Sequence, residues 1–152
     1  MIQHGLLALH VAAGVAGLVV GPAVMRAPKR RGRHTRLGRW YQAATAVLCV
    51  TAVLLVVFAP DLWWLALIAV ATEAAALGGW WLERRRPAGW TRPHVTLMCG
   101  SYISFVTAFL VVNAGFEAWW AWATPTVVGT PWIAVVAERA ARSPRFARPR
   151  TV

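Results

Sequence analysis

The chain has 152 residues, 59% of them apolar, and it carries 16 Lys and Arg against 5 Asp and Glu. A soluble core of this chain length cannot bury so large an apolar share, which includes ten tryptophans. A net charge of +11 also occurs in nucleic-acid-binding proteins, but their basic residues line one face of a soluble fold. Here the basic residues alternate with apolar segments, so the composition favours a membrane protein and excludes nucleic acid as its partner.

The basic residues form three clusters, 26–39, 84–92 and 139–150, with apolar segments between them. Basic residues near the ends of membrane helices stay cytoplasmic, and a span needs about 20 mainly apolar residues. The pattern predicts an all-α integral membrane bundle of five transmembrane helices in the inner (plasma) membrane. Its N-terminus is expected outside and its C-terminus inside. The predicted spans are 5–25, 40–59, 62–82, 94–113 and 118–137.

The first predicted span places His10, Gly14, Gly17 and Gly21 on one helical face, because they recur at steps of four, three and four residues. Glycines on one face let a neighbouring helix approach closely, which predicts a helix-packing surface. His10 then points into the bundle, where an imidazole needs a partner. It is expected either to bond a neighbouring hydroxyl or backbone carbonyl, or to act as a ligand or proton relay.

Two of the basic clusters follow the first and third predicted spans and predict contact with anionic lipid headgroups. The cytoplasmic leaflet attracts such clusters by roughly 1 kcal/mol per basic residue near its surface. The residues predicted to make this contact are Lys29, Arg30, Arg31, Arg33, Arg84, Arg85 and Arg86.

Glu73 is an acidic residue deep within the third predicted span. A charge at such a depth costs at least about 2.5 kcal/mol unless it is protonated or paired. Glu73 is therefore expected to be either a neutral, hydrogen-bonded group that fixes helix register or a proton or cation site. Its candidate partners are His10, Thr45, Thr51, Ser101, Tyr102, Ser104 and Thr107.

The fourth predicted span carries His94, Met98, Ser101 and Phe105 on one face, at steps of four, three and four residues. His94 begins this span at the cytoplasmic boundary, and His34 lies in the first basic loop. The two imidazoles with Met98, a soft ligand, predict a site for copper or haem iron at the inner surface. The alternative is a structural role in docking the basic loop onto the bundle.

The fifth predicted span contains Pro125, Gly129 and Pro131, which predict a kinked, unwound or re-entrant segment. Residues 1–139 are expected to form the transmembrane bundle. Residues 140–152 are rich in Arg, Pro and Ser and are expected to form a basic, disordered cytoplasmic tail.

Three parts of the chain resemble an uncharacterised family of small bacterial polytopic membrane proteins. They are His10 with the later Gly21-Pro22, the segment His-Thr-Arg-Leu-Gly-Arg-Trp-Tyr at 34–41, and the segment His-Val-Thr-Leu-Met-Cys-Gly-Ser-Tyr at 94–102. That family pairs a His-Arg-x-x-Gly-Arg-x-Tyr loop with a later helix start that reads His-x-x-x-Met-x-x-Ser-Tyr. The resemblance implies an integral membrane fold with three histidines and no catalytic assignment.

Three functions are consistent with these patterns. The first is a membrane protein that binds a metal or haem through His34, His94 and Met98. The second is a small homo-oligomeric proton-coupled transporter or channel subunit that uses Glu73. The third is a non-enzymatic scaffold that binds a partner membrane protein and anionic lipid. The sequence contains no hydrolase, zinc-protease or nucleotide-binding fingerprint.

Overall fold

The computed structural model describes residues 1–28 and 32–143, and these residues are helices joined by short turns. Those residues contain no strand, and the predicted all-α fold class is confirmed. The helices are α1 (Ile2–Arg26), α2 (Arg33–Leu55), α3 (Trp63–Arg85), α4 (Thr91–Ala114) and α5 (Trp119–Ala141), with a 3-10 turn at Pro60–Leu62 before α3.

Four helices, α1 to α4, are long and apolar enough to cross a membrane. Helix α1 exposes an apolar surface that is unfavourable in water. Its residues Leu7, Val11, Val15 and Val19 recur every four positions and are 46%, 54%, 54% and 68% exposed. A continuous row of exposed aliphatic side chains is stable in contact with the hydrocarbon of a membrane. Hydrocarbon offers no hydrogen-bond partners, and a helix satisfies its backbone groups internally. The architecture is that of a multi-pass membrane protein.

Helix α2 begins seven residues before the predicted start of the second span. His34, placed in a loop by the sequence, lies in the first turn of α2, and Arg36 and Arg39 follow in the same helix. Arginine is a good helix former, and its long side chain keeps the charge in water beside an apolar surface. A charged segment therefore extends the helix beyond the hydrocarbon instead of ending it.

Helix α5 is continuous from Trp119 to Ala141, with Pro125 and Pro131 inside it. Of the three predicted alternatives, the unwound segment was wrong, whereas a kink or a re-entrant path stays a prediction. Each proline removes only one backbone donor, and neighbouring packing can compensate for that loss. Helix α5 is not among the four helices that are apolar enough to span, because its Trp, Thr and Pro residues lower its hydropathy. It also continues past residue 140, the predicted start of the tail, whereas residues 144–152 lie outside the described part.

The chain divides into two compact units, Met1–Ala74 and Ala75–Val152. In the first unit α1 packs along α2, and in the second α4 packs along α5. Small residues line the first of these contacts: Ala13, Gly17 and Gly21 are buried. A Cβ atom added at Gly14 would lie 3.4 Å from Cδ1 of Leu48. The predicted glycine face thus lies where α1 meets α2.

Candidate functional site

Glu73 lies next to the midpoint of α3, and its Oε1 accepts a hydrogen bond of 2.8 Å from Nε2 of Gln42 in α2. Gln42 is not among the partners predicted from the sequence. It is the one amide side chain in Arg33–Leu55, and that was the available signal. Gln42 follows Trp40 and Tyr41, which are residue types typical of a membrane interface. The sequence therefore suggested an interfacial position for Gln42 and not a partner for Glu73.

Two oxygen atoms of this carboxyl–amide pair lack partners. Oε2 of Glu73 and Oε1 of Gln42 are both buried, and neither has a hydrogen-bond partner among residues 1–28 and 32–143. An amide oxygen is only an acceptor, and so is an ionised carboxylate. Neither atom can satisfy the other until a proton makes Oε2 a donor. One proton or one cation placed between the two oxygens would satisfy both.

The polar side chains near this pair direct their hydrogens elsewhere. Thr45 is fully buried, and its hydroxyl donates to the carbonyl of Tyr41 at 2.9 Å. The Thr72 hydroxyl donates to the carbonyl of Ile68 at 2.7 Å. Both bonds are local bonds to the preceding turn of the same helix, a common position for a hydroxyl in a membrane helix. The carboxyl–amide pair therefore receives no hydrogen from either threonine.

His10 contacts α2 through its Nδ1 atom, which lies 3.1 Å from the carbonyl oxygen of Leu48 and 3.0 Å from Oγ1 of Thr51. A carbonyl oxygen only accepts, and the Thr51 hydroxyl already donates to Val47 at 2.7 Å. Nδ1 must therefore carry the hydrogen, which leaves the lone pair of the neutral ring on Nε2. These are the hydroxyl and backbone partners expected for a structural histidine.

His34 and His94 make the same kind of contact as His10. Nδ1 of His34 lies 3.1 Å from the carbonyl of Val24, and Nδ1 of His94 lies 2.7 Å from the carbonyl of Gly79. His10 and His34 are at opposite ends of the α1–α2 pair, separated by roughly 20 Å of helical rise. One metal ion cannot bind both of them.

Met98 packs against the same residue that His94 bonds. A Cβ atom added at Gly79 would lie 2.7 Å from Sδ of Met98 and 2.8 Å from its Cγ. His94 and Met98 therefore dock α4 on the last part of α3. Within the described residues, no three His, Cys, Asp or Glu side chains are grouped to hold a metal ion. Coordination of copper or haem by His34, His94 and Met98 stays a prediction.

The last two arginines of α3 and Arg86, which follows the helix, lie over indole rings, in cation–π geometry. The centroid distances are 4.5 Å for Arg84 over Trp80, 5.8 Å for Arg85 over Trp81 and 5.0 Å for Arg86 over Trp90. Arg33 starts α2 and is exposed. The other predicted lipid contacts, Lys29, Arg30 and Arg31, lie outside the described residues. Mixed rings and positive charges are typical of a helix end at a membrane surface.

The fold and the carboxyl–amide pair define a helical multi-pass membrane protein with an ionisable group inside its apolar helices. No protein-family model, curated protein or solved structure matches the chain.

Proposed function

We propose that the chain takes up and releases a proton at Glu73, as a subunit of a small homo-oligomeric proton-coupled transporter or channel. The observation that carries this proposal is the pair of unpartnered oxygens, Oε2 of Glu73 and Oε1 of Gln42. An ionisable residue within a membrane helix is expensive and usually marks an ion or proton pathway. A chain of this size is small for an alternating-access carrier, which favours an oligomer.

A proton fits the carboxyl–amide pair better than a metal ion does. Calcium takes six to eight oxygen ligands and magnesium takes six in near-ideal octahedral geometry, whereas the pair offers two unpartnered oxygens. One proton is sufficient, because protonated Oε2 donates to Oε1 of Gln42 while Nε2 of Gln42 still donates to Oε1 of Glu73. Both groups are then satisfied by a neutral, cyclic acid–amide pair.

Loss of that proton would couple to helix packing. The resulting carboxylate would face the amide oxygen of Gln42, and a charge in this environment costs at least about 2.5 kcal/mol. The cost falls if Gln42 turns away, or if α2 and α3 separate and admit water. Protonation at Glu73 thus favours one arrangement of α2 and α3 and deprotonation another, which is the property that a proton-coupled transporter requires.

The proton site predicts a protonated carboxyl at neutral pH, visible as a carbonyl stretching band in the infrared spectrum of protein in lipid. The band should vanish in Glu73→Gln and should remain in Glu117→Gln, which removes an exposed acid on the α4–α5 turn. Proteoliposomes should show pH-driven proton uptake in wild type and in Glu117→Gln, and at least about tenfold less in Glu73→Gln. A band that survives in Glu73→Gln, or equal uptake in all three proteins, would contradict the proposal.

The orientation belongs to the same proposal: five spans in the plasma membrane, N-terminus outside and C-terminus inside. The three basic clusters support it, and the packing of α5 along α4, itself apolar enough to span, supports the fifth crossing. A reporter that works only in the cytoplasm should be active when it is fused after residue 152. A reporter that works only outside the cytoplasm should be active when it is fused after Asp61, in the turn between α2 and α3. The reverse pattern would overturn the orientation.

A further inference from the structure

An open cleft lies between α4 and α5, where the first turn of α4 meets the last turns of α5. We call it the arginine cleft. Its lining consists of Arg92, Ala134, Val135, Glu138, Arg139 and Arg142. Three positive side chains face one negative side chain, so the cleft retains a net positive charge. None of the three arginines is among the lipid contacts predicted from the sequence.

Glu138 forms ion pairs with two of the arginines. Its Oε1 lies 3.0 Å from Nε of Arg142, the C-cap residue of α5, and its Oε2 lies 3.8 Å from Nε of Arg92, in α4. Each guanidinium has five N–H donors, and these contacts use one nitrogen of each. Arg139 has no ion pair with any residue in 1–28 or 32–143. Most donors of the arginine cleft are available to an anion.

The floor of the arginine cleft is apolar and continues along an exposed side of α5. Ala134 and Val135 form the floor. Val128, Trp132 and Val135 then follow one helical face at steps of four and three residues, and they are 66%, 72% and 47% exposed. An exposed apolar strip therefore leads directly into a group of arginines.

We infer that the arginine cleft binds the phosphate headgroup of an acidic phospholipid, with an acyl chain along the strip Val128, Trp132 and Val135. Guanidinium groups are suited to phosphate because they donate two parallel hydrogen bonds. Basic pockets between membrane helices are recognised sites for such headgroups. A free phosphate would use the arginines alone, whereas the apolar strip adds a surface that only the lipid covers. None of the residues of the arginine cleft takes part in the proposed proton site at Glu73.

The test is a native mass spectrometry titration of detergent-solubilised protein with phosphatidylglycerol and with phosphatidylcholine of the same acyl chains. The triple variant Arg92→Gln, Arg139→Gln, Arg142→Gln is compared with a control that removes the same charge elsewhere, Arg26→Gln, Arg36→Gln, Arg39→Gln. Each arginine near an anionic headgroup contributes about fivefold to binding, so the cleft variant should lose phosphatidylglycerol affinity on the order of a hundredfold. The control arginines lie in the first basic cluster, itself predicted to meet anionic headgroups, so the control should lose some affinity, but at least about tenfold less than the cleft variant loses.

A second variant tests whether the shape of the cleft, and not only its charge, is needed for lipid binding. Ala134→Trp fills the floor at an exposed position and leaves the charge unchanged, and it should also weaken phosphatidylglycerol binding, by about tenfold or more. Glycerol phosphate without acyl chains should not displace the lipid at equal concentration. Equal losses in the cleft and control variants, unchanged binding by Ala134→Trp, or efficient displacement by glycerol phosphate would each overturn the inference.

Discussion

Gln42→Leu is expected to lower the free energy of unfolding by about 1–3 kcal/mol, because it leaves the Glu73 carboxyl buried without its donor. Oε1 of Glu73 would lose the 2.8 Å bond from Nε2 of Gln42, and Oε2 is already without a partner in the described part of the chain. Both carboxyl oxygens would then be unsatisfied. The loss is measured as the unfolding free energy, or the Tm, of purified protein in detergent.

Replacing both members of the pair should behave differently from replacing one. In Gln42→Leu, Glu73→Leu no polar group remains to be satisfied, and two buried partners replaced by apolar residues often cost little or even stabilise. We expect the double variant to be within about 1 kcal/mol of wild type, which corresponds to a strongly favourable coupling between the two changes. Thr45→Val serves as the control, because it removes a buried polar group of the same helix that does not belong to the carboxyl–amide pair. Additive losses in the double variant would show that the pair does not act as one unit.

The stability of the double variant also bears on function. A pair kept only to fix helix packing would be replaceable by leucines without loss of activity. A pair that carries protons would leave a stable protein that no longer takes them up. Comparing unfolding free energy with proton uptake in the same variant therefore separates the structural role of Glu73 from its proposed role in transport.

Four of the five predicted spans correspond to helices long and apolar enough to cross a membrane. They were predictable because the length of an apolar segment and the spacing of charges can be read directly along the sequence. Glu73 was visible for the same reason, as an acid surrounded by apolar residues. Its partner was not. Gln42 meets Glu73 only because one face of α2 turns toward α3, and helices that are apolar on every side carry no periodic signal for which face is buried. The role of Gln42 is a property of the packing.

The histidines show the same limit. His34 and His94 were assigned to a shared ligand site because the sequence predicts both near the cytoplasmic boundary. In the structure Nδ1 of each contacts a backbone carbonyl on a neighbouring helix segment, at Val24 and at Gly79, and the shared ligand site stays a prediction. Every residue has a backbone carbonyl, so a partner of this kind cannot be predicted from residue type. The spacing of residues on one helix predicts which of them share a face, but it does not predict which groups of another helix that face contacts.

Gly79→Val is expected to destabilise the second unit by about 1–3 kcal/mol, because its side chain would overlap the side chain of Met98. A Cβ atom there would lie 2.7 Å from Sδ of Met98 and 3.4 Å from its backbone nitrogen. If α4 moves away to relieve this overlap, the 2.7 Å bond from Nδ1 of His94 to the Gly79 carbonyl lengthens as well. The change in Tm of detergent-purified protein measures the combined loss.

Two further variants locate the cause of that loss. Gly100→Ala changes a glycine of α4 whose added Cβ would meet nothing within 4 Å. It should stabilise the helix by up to about 1 kcal/mol, since alanine is the better helix former. Met98→Ala makes space beside position 79, and combining it with Gly79→Val should cost less than the two single losses together, by about 0.5–3 kcal/mol. Strict additivity would mean that Met98 is not what Gly79 accommodates. A stable Gly79→Val protein would mean that the close contact of α3 with α4 does not hold the second unit together.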